Sequence, residues 1–223
     1  MTVTPIVGAK HGNVSKPAAA VAAGQLIPAI SAEAGAEPRP YSYSMKPEEE
    51  QQFRKKMLAM AADEVRARAK LLTTQAIGAP EPAKNSLPRK SAAIKLPQPD
   101  FEDVQFRVFD LNNSNEPVLI LSAKARLPQS SKDKETGSNQ LQYLVTLVAR
   151  QDVNADFHKA FSNVTDTSHL DVIPQVDLID AVDVDGDGPG ELLFRQVSDA
   201  GTAYVVYRVI GNQLYALFQG TPE

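Results

Sequence analysis

The sequence predicts a mainly β protein: an antiparallel meander over about residues 101–223, folded as a sandwich or barrel-like sheet, behind a disordered Pro/Ala-rich tether and one long helix. Three observations predict it. From residue 101 onward, apolar residues recur at every second position between turn signals. From 46 to 77 they recur at helical spacing instead. The two halves of the 223-residue chain also differ in composition. Residues 1–100 hold 11 of the 16 prolines and 14 Lys/Arg against 9 Asp/Glu, whereas residues 101–223 hold 9 Lys/Arg against 18 acids. Only the second half has the composition of a packed domain, and its ~120 residues are enough to bury a core.

Residues 1–45 are rich in Ala, Pro, Gly and Ser and keep no period, with Pro28, Pro38 and Pro40 as breaks. Such a segment buries too little surface to offset its ordering entropy, which predicts a disordered tether. Residues 46–77 predict an amphipathic helix. Pro47 suits a first helical position, and Glu48, Glu49 and Glu50 follow where they complement the helix dipole. Phe53, Met57, Ala61, Val65 and Leu72 form the apolar stripe, with Arg66, Arg68 and Lys70 toward the far end and Gly78 and Pro80 as the stop. The stripe advances in steps of four and Glu64 interrupts any heptad, which argues against a long coiled coil. The helix is expected either to lie on the β domain or to offer its face to a protein partner. Residues 78–100, with Pro80, Pro82, Pro88, Pro97 and Pro99, predict a linker.

Within 101–223, Val104, Phe106 and Val108 alternate with Gln105 and Arg107, and Asn112 to Asn115 form a turn cluster. A strand is expected from Val118 to about Leu127, an exposed polar hairpin loop over 128–139, and a strand through Leu141, Tyr143, Val145, Leu147 and Ala149. Residues 152–170, with Phe157, Phe161, Val164 and Leu170, fit either a short helix or an irregular edge strand. Strands are then expected over 176–182, 191–197, 202–210 and 214–218. Ser198 to Gly201 marks one turn between them, and Gly211-Asn212 is a two-residue hairpin signal.

Several function classes are disfavoured. With no cysteine there are no disulfides, thiolate metal sites or cysteine nucleophiles. The acidic half lacks the clustered Lys/Arg that phosphate binding needs, so no nucleic-acid partner is expected. No stretch approaches the ~18–20 apolar residues of a membrane span. Met1 to Pro5 does not read as a signal peptide.

The chemistry concentrates in one loop. Ala160 to Phe194 contains eight acids and no Lys or Arg. Within it Asp183, Asp185, Asp187 and Glu191 stand at loop positions 1, 3, 5 and 9, and the Pro189 carbonyl falls at position 7. A hard cation such as Ca²⁺ takes six to eight oxygens at ~2.3–2.6 Å. Alternate residues of a tight turn aim their carboxylates at one centre, and Gly186 and Gly188 permit the backbone that turn requires. Without a cation these like charges repel. An EF-hand is excluded, because position 12 is Phe194 where a bidentate Glu is needed and the flanks read as strands.

The segment Asp183-x-Asp185-x-Asp187-Gly188-x-x-Glu191-Leu192 resembles the calcium hairpin of integrin-type FG-GAP and VCBS-like repeats, Asp-x-Asp-x-Asp-Gly-x-x-Asp-Leu. The resemblance covers about ten residues, with Glu in place of Asp at position 9 and no Phe-Gly-Gly-Ala-Pro segment upstream. It implies a structural Ca²⁺ ion held between two strands. The chain holds a single copy, whereas a propeller needs several blades, so the resemblance carries the ion site and not the propeller. The C-terminal segment is also loosely similar to the tails of uncharacterised exported bacterial proteins.

Other candidates are weaker. His11 lies in the tether, and His158 and His169 lack partners at ligand spacing. Asp177 and Asp180 could in principle serve a hydrolase but read as acids supporting the loop, and Tyr204, Tyr207 and Tyr215 as cross-strand pairing residues. No G-x-S-x-G, H-E-x-x-H or phosphate-loop motif occurs, and no catalytic residue is assigned. The expected function is a non-enzymatic, calcium-stabilised structural or interaction module of a periplasmic, cell-envelope or secreted protein. The alternatives are a hydrolytic enzyme with its site in the 128–139 or 152–170 loops, or the C-terminal part of a larger protein.

Overall fold

The alternating strands close into two sheets rather than one. The computed structural model describes residues 41–76, 96–128 and 141–223. Helix α1 (Pro47–Ala76) is followed by β1 (Asp100–Phe109), β2 (Val118–Arg126), β3 (Gln142–Gln151), β4 (Phe157–Asp166), β5 (Gln175–Val182), β6 (Glu191–Ser198), β7 (Gly201–Ile210) and β8 (Gln213–Gln219). Every pairing is antiparallel between neighbours in sequence. Sheet 1 has the order β1-β2-β3-β4 and sheet 2 the order β5-β6-β7-β8. Of the two expected forms, the sandwich is found; the described strands make no closed barrel. The expected tether over 1–40, the linker over 78–95 and the hairpin loop over 129–139 lie outside the described residues.

Sheet 1 is covered on both faces. On one, α1 sets Phe53, Met57, Ala61, Val65 and Ala69, each four residues after the last, against Leu119, Leu121, Ala125, Val145 and Leu147. On the other, Phe109, Val118, Ile120 and Val148 meet Val176, Leu192 and Phe194 of sheet 2. That is why Val118-Leu119-Ile120-Leu121 is a continuous apolar run and all four residues are buried. An antiparallel strand with one wet face would alternate. Glu64, which interrupts the heptad, lies on the helix flank and accepts hydrogen bonds from Lys159 at 2.5 Å and Ser162 at 2.8 Å on β4. The helix therefore docks on the β domain, with its apolar stripe turned inward.

Two boundaries fall earlier than expected. Tyr41 to Tyr43, assigned to the tether, pair with the end of β1: Ser42 bridges Phe109, the Tyr43 amide donates to Val108 O at 3.3 Å, and the Asp110 amide donates to Tyr41 O at 2.8 Å. Residues 96–100, assigned to the linker, bring Leu96 against the helix-side core, and Asp100 begins β1. The ambiguous 152–170 region contains β4, an edge strand with a register shift opposite Val148/Ala149, and not a helix. Phe157 and Val164 of this strand pack on the α1 side, and Phe161 packs on the sheet 2 side.

Sheet 2 crosses sheet 1 instead of running along it. Three side chains of sheet 1 trace β5 and its approach across the strands. Thr165 Oγ1 on β4 donates to Ile173 O at 2.7 Å, Thr146 Oγ1 on β3 donates to Val176 O at 2.5 Å, and Arg107 on β1 donates to Ile179 O at 2.7 Å. Beyond Val182 the chain has passed the β1 edge, and the acidic loop hangs there. The packing of α1 gives a direct test. Met57 is fully buried, so Met57→Ala should cost ~2–5 kcal/mol in urea unfolding, through lost transfer energy and a residual cavity. Leu71, 57% exposed on the same helix, should tolerate Leu71→Ala within ~0.5 kcal/mol.

Candidate metal centre in the β5–β6 loop

The loop between β5 and β6 is built on two glycines in the left-handed region, Gly186 (φ 78°) and Gly188 (φ 102°). Asp183 organises it. Its Oδ1 accepts the Gly186 amide at 2.7 Å and its Oδ2 accepts the Gly188 amide at 2.9 Å. This carboxylate folds the turn over itself and brings one oxygen each of Asp183, Asp185 and Asp187 within 4.8 Å of one another. Asp185 and Asp187 are exposed and Asp183 is half-buried, so the cluster faces solvent.

The loop is pinned from the other sheet. The Gly190 amide donates to Leu111 O at 2.7 Å, and the Tyr41 hydroxyl donates to Gly188 O at 2.7 Å. A Cβ at Gly190 would lie 3.0 Å from the Tyr41 ring, which is itself buried in the inter-sheet core. Tyr41 therefore joins the edge of sheet 1, the inter-sheet core and the acidic loop.

Sequence reasoning placed Glu191 in the same ligand shell. The structure places it beside that shell, facing a residue the sequence reading did not single out. Glu191 is fully buried. Its Oε2 accepts the Val184 amide at 3.0 Å, and its Oε1 accepts Arg208 Nε at 2.8 Å and Nη2 at 2.5 Å. The same guanidinium reaches Asp185 Oδ2 at 2.8 Å and Asp187 Oδ2 at 3.0 Å. Arg208 thus spans three of the four acids, and the repulsion expected of the loop is partly met from within the chain. The register made this findable: Leu192 is paired with Tyr207, so Arg208 is the next residue on β7 toward Glu191. Pro189 is half-buried. Its neighbour Gly188, not Pro189, supplies the carbonyl bound by Tyr41.

The electrostatics follow this geometry. Partial desolvation pushes the Asp185 carboxyl up, but the Asp187 amide and the Arg208 guanidinium outweigh it and leave the group below its ordinary range. Arg208 is held still further above its already high value, by Glu191 first and Asp185 after it, against the opposing effect of desolvation. Four carboxylates against one guanidinium leave a formal balance of −3, and Asp183, which the guanidinium does not reach, accepts the Gly186 and Gly188 amides. The donor set therefore fits a small divalent cation held by oxygens of Asp183, Asp185 and Asp187. Such an ion would supply charge neutralisation and a fixed turn.

The remaining candidate acids are engaged elsewhere. Asp177 accepts from Arg195 at 3.1 Å and Asp180 from Arg107 at 3.0 Å, so neither turns toward the loop. Buried Asp166 lies on β4, where the ring nitrogen of His169 approaches it at 2.7 Å and the Ser168 amide donates to it at 2.9 Å. His158 is within 3.1 Å of Asp152. At the other end of β5 a crevice of about 440 Å³ opens onto sheet 1, lined by Ser122, Thr146, Asn163 and Gln175 among others. The Ser122 and Thr146 hydroxyls lie 3.2 Å apart and bond each other.

Removing Arg208 should be costly, because Glu191 stays buried without its cation. Arg208→Ala is expected to destabilise the protein by ~3 kcal/mol, with most of the loss recovered by adding Glu191→Gln, as read by chemical denaturation. In EDTA, the Asp185 contribution is complete above its unfolded pKa of ~3.9 and is lost as pH falls through its lower folded value. The melting temperature of Asp185→Asn should accordingly fall less steeply than that of the unsubstituted protein below ~pH 4. No protein-family model, curated protein or solved structure matches this chain.

Proposed function

We propose that residues 41–223 are a calcium-stabilised β module acting as a structural or protein-interaction unit in the cell envelope or outside the cell. The observation that carries this reading is the approach of Asp183, Asp185 and Asp187 to within 4.8 Å at a glycine-permitted turn. Two features support it. The net negative balance left by Arg208 favours a divalent cation over another amine, and the turn is braced by Tyr41 and Leu111, so little ordering is needed on binding. Extracellular modules hold calcium at ~10⁻⁴–10⁻³ M, far above cytosolic free calcium, which is the ground for an extracytoplasmic home. A protein partner of α1 would meet the outer face of the helix, since Phe53, Met57 and Val65 are buried against sheet 1.

Thermal melts of the full chain in excess EDTA, in ~2 mM CaCl₂ and in ~2 mM MgCl₂ test the reading. With a dissociation constant of ~0.1 mM, calcium should add ~1.8 kcal/mol by mass action, a rise of several degrees for a chain of this size. Magnesium should do less, and Asp183→Asn should abolish the calcium response. Equal melting in EDTA and calcium would remove the ion from the account.

A further inference from the structure

We propose that residues 41–43 are a releasable strap whose docking keeps the acidic loop in order, so that the strap and the β5–β6 turn open and close together. The strap crosses the edge of β1. Tyr43 and Met45 pack on the helix side of sheet 1, whereas Tyr41 is buried in the core between the sheets. Its main-chain hold is slight. One isolated bridge joins Ser42 to Phe109, the Tyr43 amide donates to Val108 O, and the Asp110 amide donates to Tyr41 O. A segment held by so few bonds opens locally at a lower free-energy cost than strands within a continuous ladder.

Three contacts carry the coupling, and they converge on Gly188 and Gly190. The Tyr41 hydroxyl donates to Gly188 O at 2.7 Å, while the Gly188 amide donates to Asp183 Oδ2 at 2.9 Å. Both peptides flanking Gly188 are thereby fixed, at a residue whose φ of 102° suits glycine. The Tyr41 ring lies over Gly190, where a Cβ would stand 3.0 Å from three ring carbons. The third contact runs through the main chain. Asp110 binds Tyr41 O, and its neighbour Leu111 accepts the Gly190 amide at 2.7 Å. Asp183 also accepts the Gly186 amide, so the grip on Gly188 extends to the carboxylate that gathers Asp185 and Asp187.

When the strap lifts, the turn loses all three anchors and the acids lose the fold that gathers them. A partner drawing on the chain ahead of Tyr41 is thereby felt at the acidic loop. The coupling is reciprocal, so whatever loosens the loop loosens the strap by the same factor. It does not rest on the calcium reading, because every contact in it lies within the chain. Gly190 is the diagnostic position. It is not among the glycines with positive φ, and the atoms nearest to an added Cβ all belong to Tyr41. Alanine there meets the ring and no left-handed backbone strain.

Amide hydrogen exchange of the full chain in EDTA, read residue by residue by NMR, tests this. Tyr41→Phe keeps the ring and removes only the hydroxyl. It should speed exchange of the Gly186 and Gly188 amides about fivefold, the equivalent of one ~1 kcal/mol hydrogen bond. Asp183→Asn should in turn speed exchange of the Tyr43 amide. Met57→Ala, which weakens the domain from the far face of sheet 1, should leave these amides as they were. In urea unfolding, Gly190→Ala should destabilise the protein, and should cost much less in a Tyr41→Ala background. Should Tyr41→Ala fail to fold, the exchange measurements decide alone. Loop exchange indifferent to Tyr41→Phe overturns the proposal. So do strap exchange indifferent to Asp183→Asn, equal acceleration by Met57→Ala, and an equal cost of Gly190→Ala in both backgrounds.

Discussion

The central strands of sheet 1 are packed on both faces, and the placement of much else follows from that requirement. Four strands with apolar residues at nearly every position of β2 and β3 cannot stand in water on either side. One face recruits α1, whose four-residue apolar steps lay Phe53 through Ala69 along it. The other recruits β5 to β8. A helix whose interior line includes Ala61 and Ala69 comes close to the sheet, which explains why small residues, Ala123 and Ala125 among them, face it. The helix is therefore a layer of the domain and not an appendage to it. Its stability comes from burial more than from propensity or capping.

Because sheet 2 crosses sheet 1 at an angle, β5 meets several strands in turn and ends outside the edge of β1. The acidic loop owes its position to this crossing. Were the sheets aligned, the β5–β6 turn would sit at the end of the sandwich among other turns. Crossed, it overhangs the edge, where Tyr41 and Leu111 reach it. The loop is held by neutral hydrogen bonds on one side and by Arg208 on the other. The balance between Arg208 and an added cation is one of number as well as geometry. A guanidinium has fixed planar donors and takes Glu191, Asp185 and Asp187 from one direction. The Asp183 carboxylate faces backbone amides and lies outside that fork. Charge remains for a second cation even with the first in place.

Much of this was legible in the sequence, because local physics decides it. Helix α1 runs Pro47–Ala76, within a residue of the expected 46–77 at each end, and opens on the expected proline and glutamates. The strands after 176 follow the alternating pattern and its turn signals closely, and the Asp183–Glu191 segment is indeed a turn between strands. What was not legible is long-range. Nothing near Tyr41 in sequence says that its ring belongs against Gly190 or that its hydroxyl bonds Gly188, 147 residues away. Arg208 stands in a strand whose other residues suggest only packing. It becomes the partner of Glu191 once the β6–β7 register is known. The 157–166 strand was ambiguous because two faces, one against a helix and one against a sheet, erase the simple alternation that identifies a half-wet strand.

The same reasoning separates the two exposed features of sheet 2. The acidic loop joins β5 to β6 and β8 is the far edge strand, with Arg208 of β7 between them, paired with Tyr215 of β8 and bonded to the loop acids. One concentrates charge and the other excludes it. A dense negative patch repels a second copy of the same acidic domain, so it suits a counter-ion. An uncharged, apolar edge has no attraction for an ion.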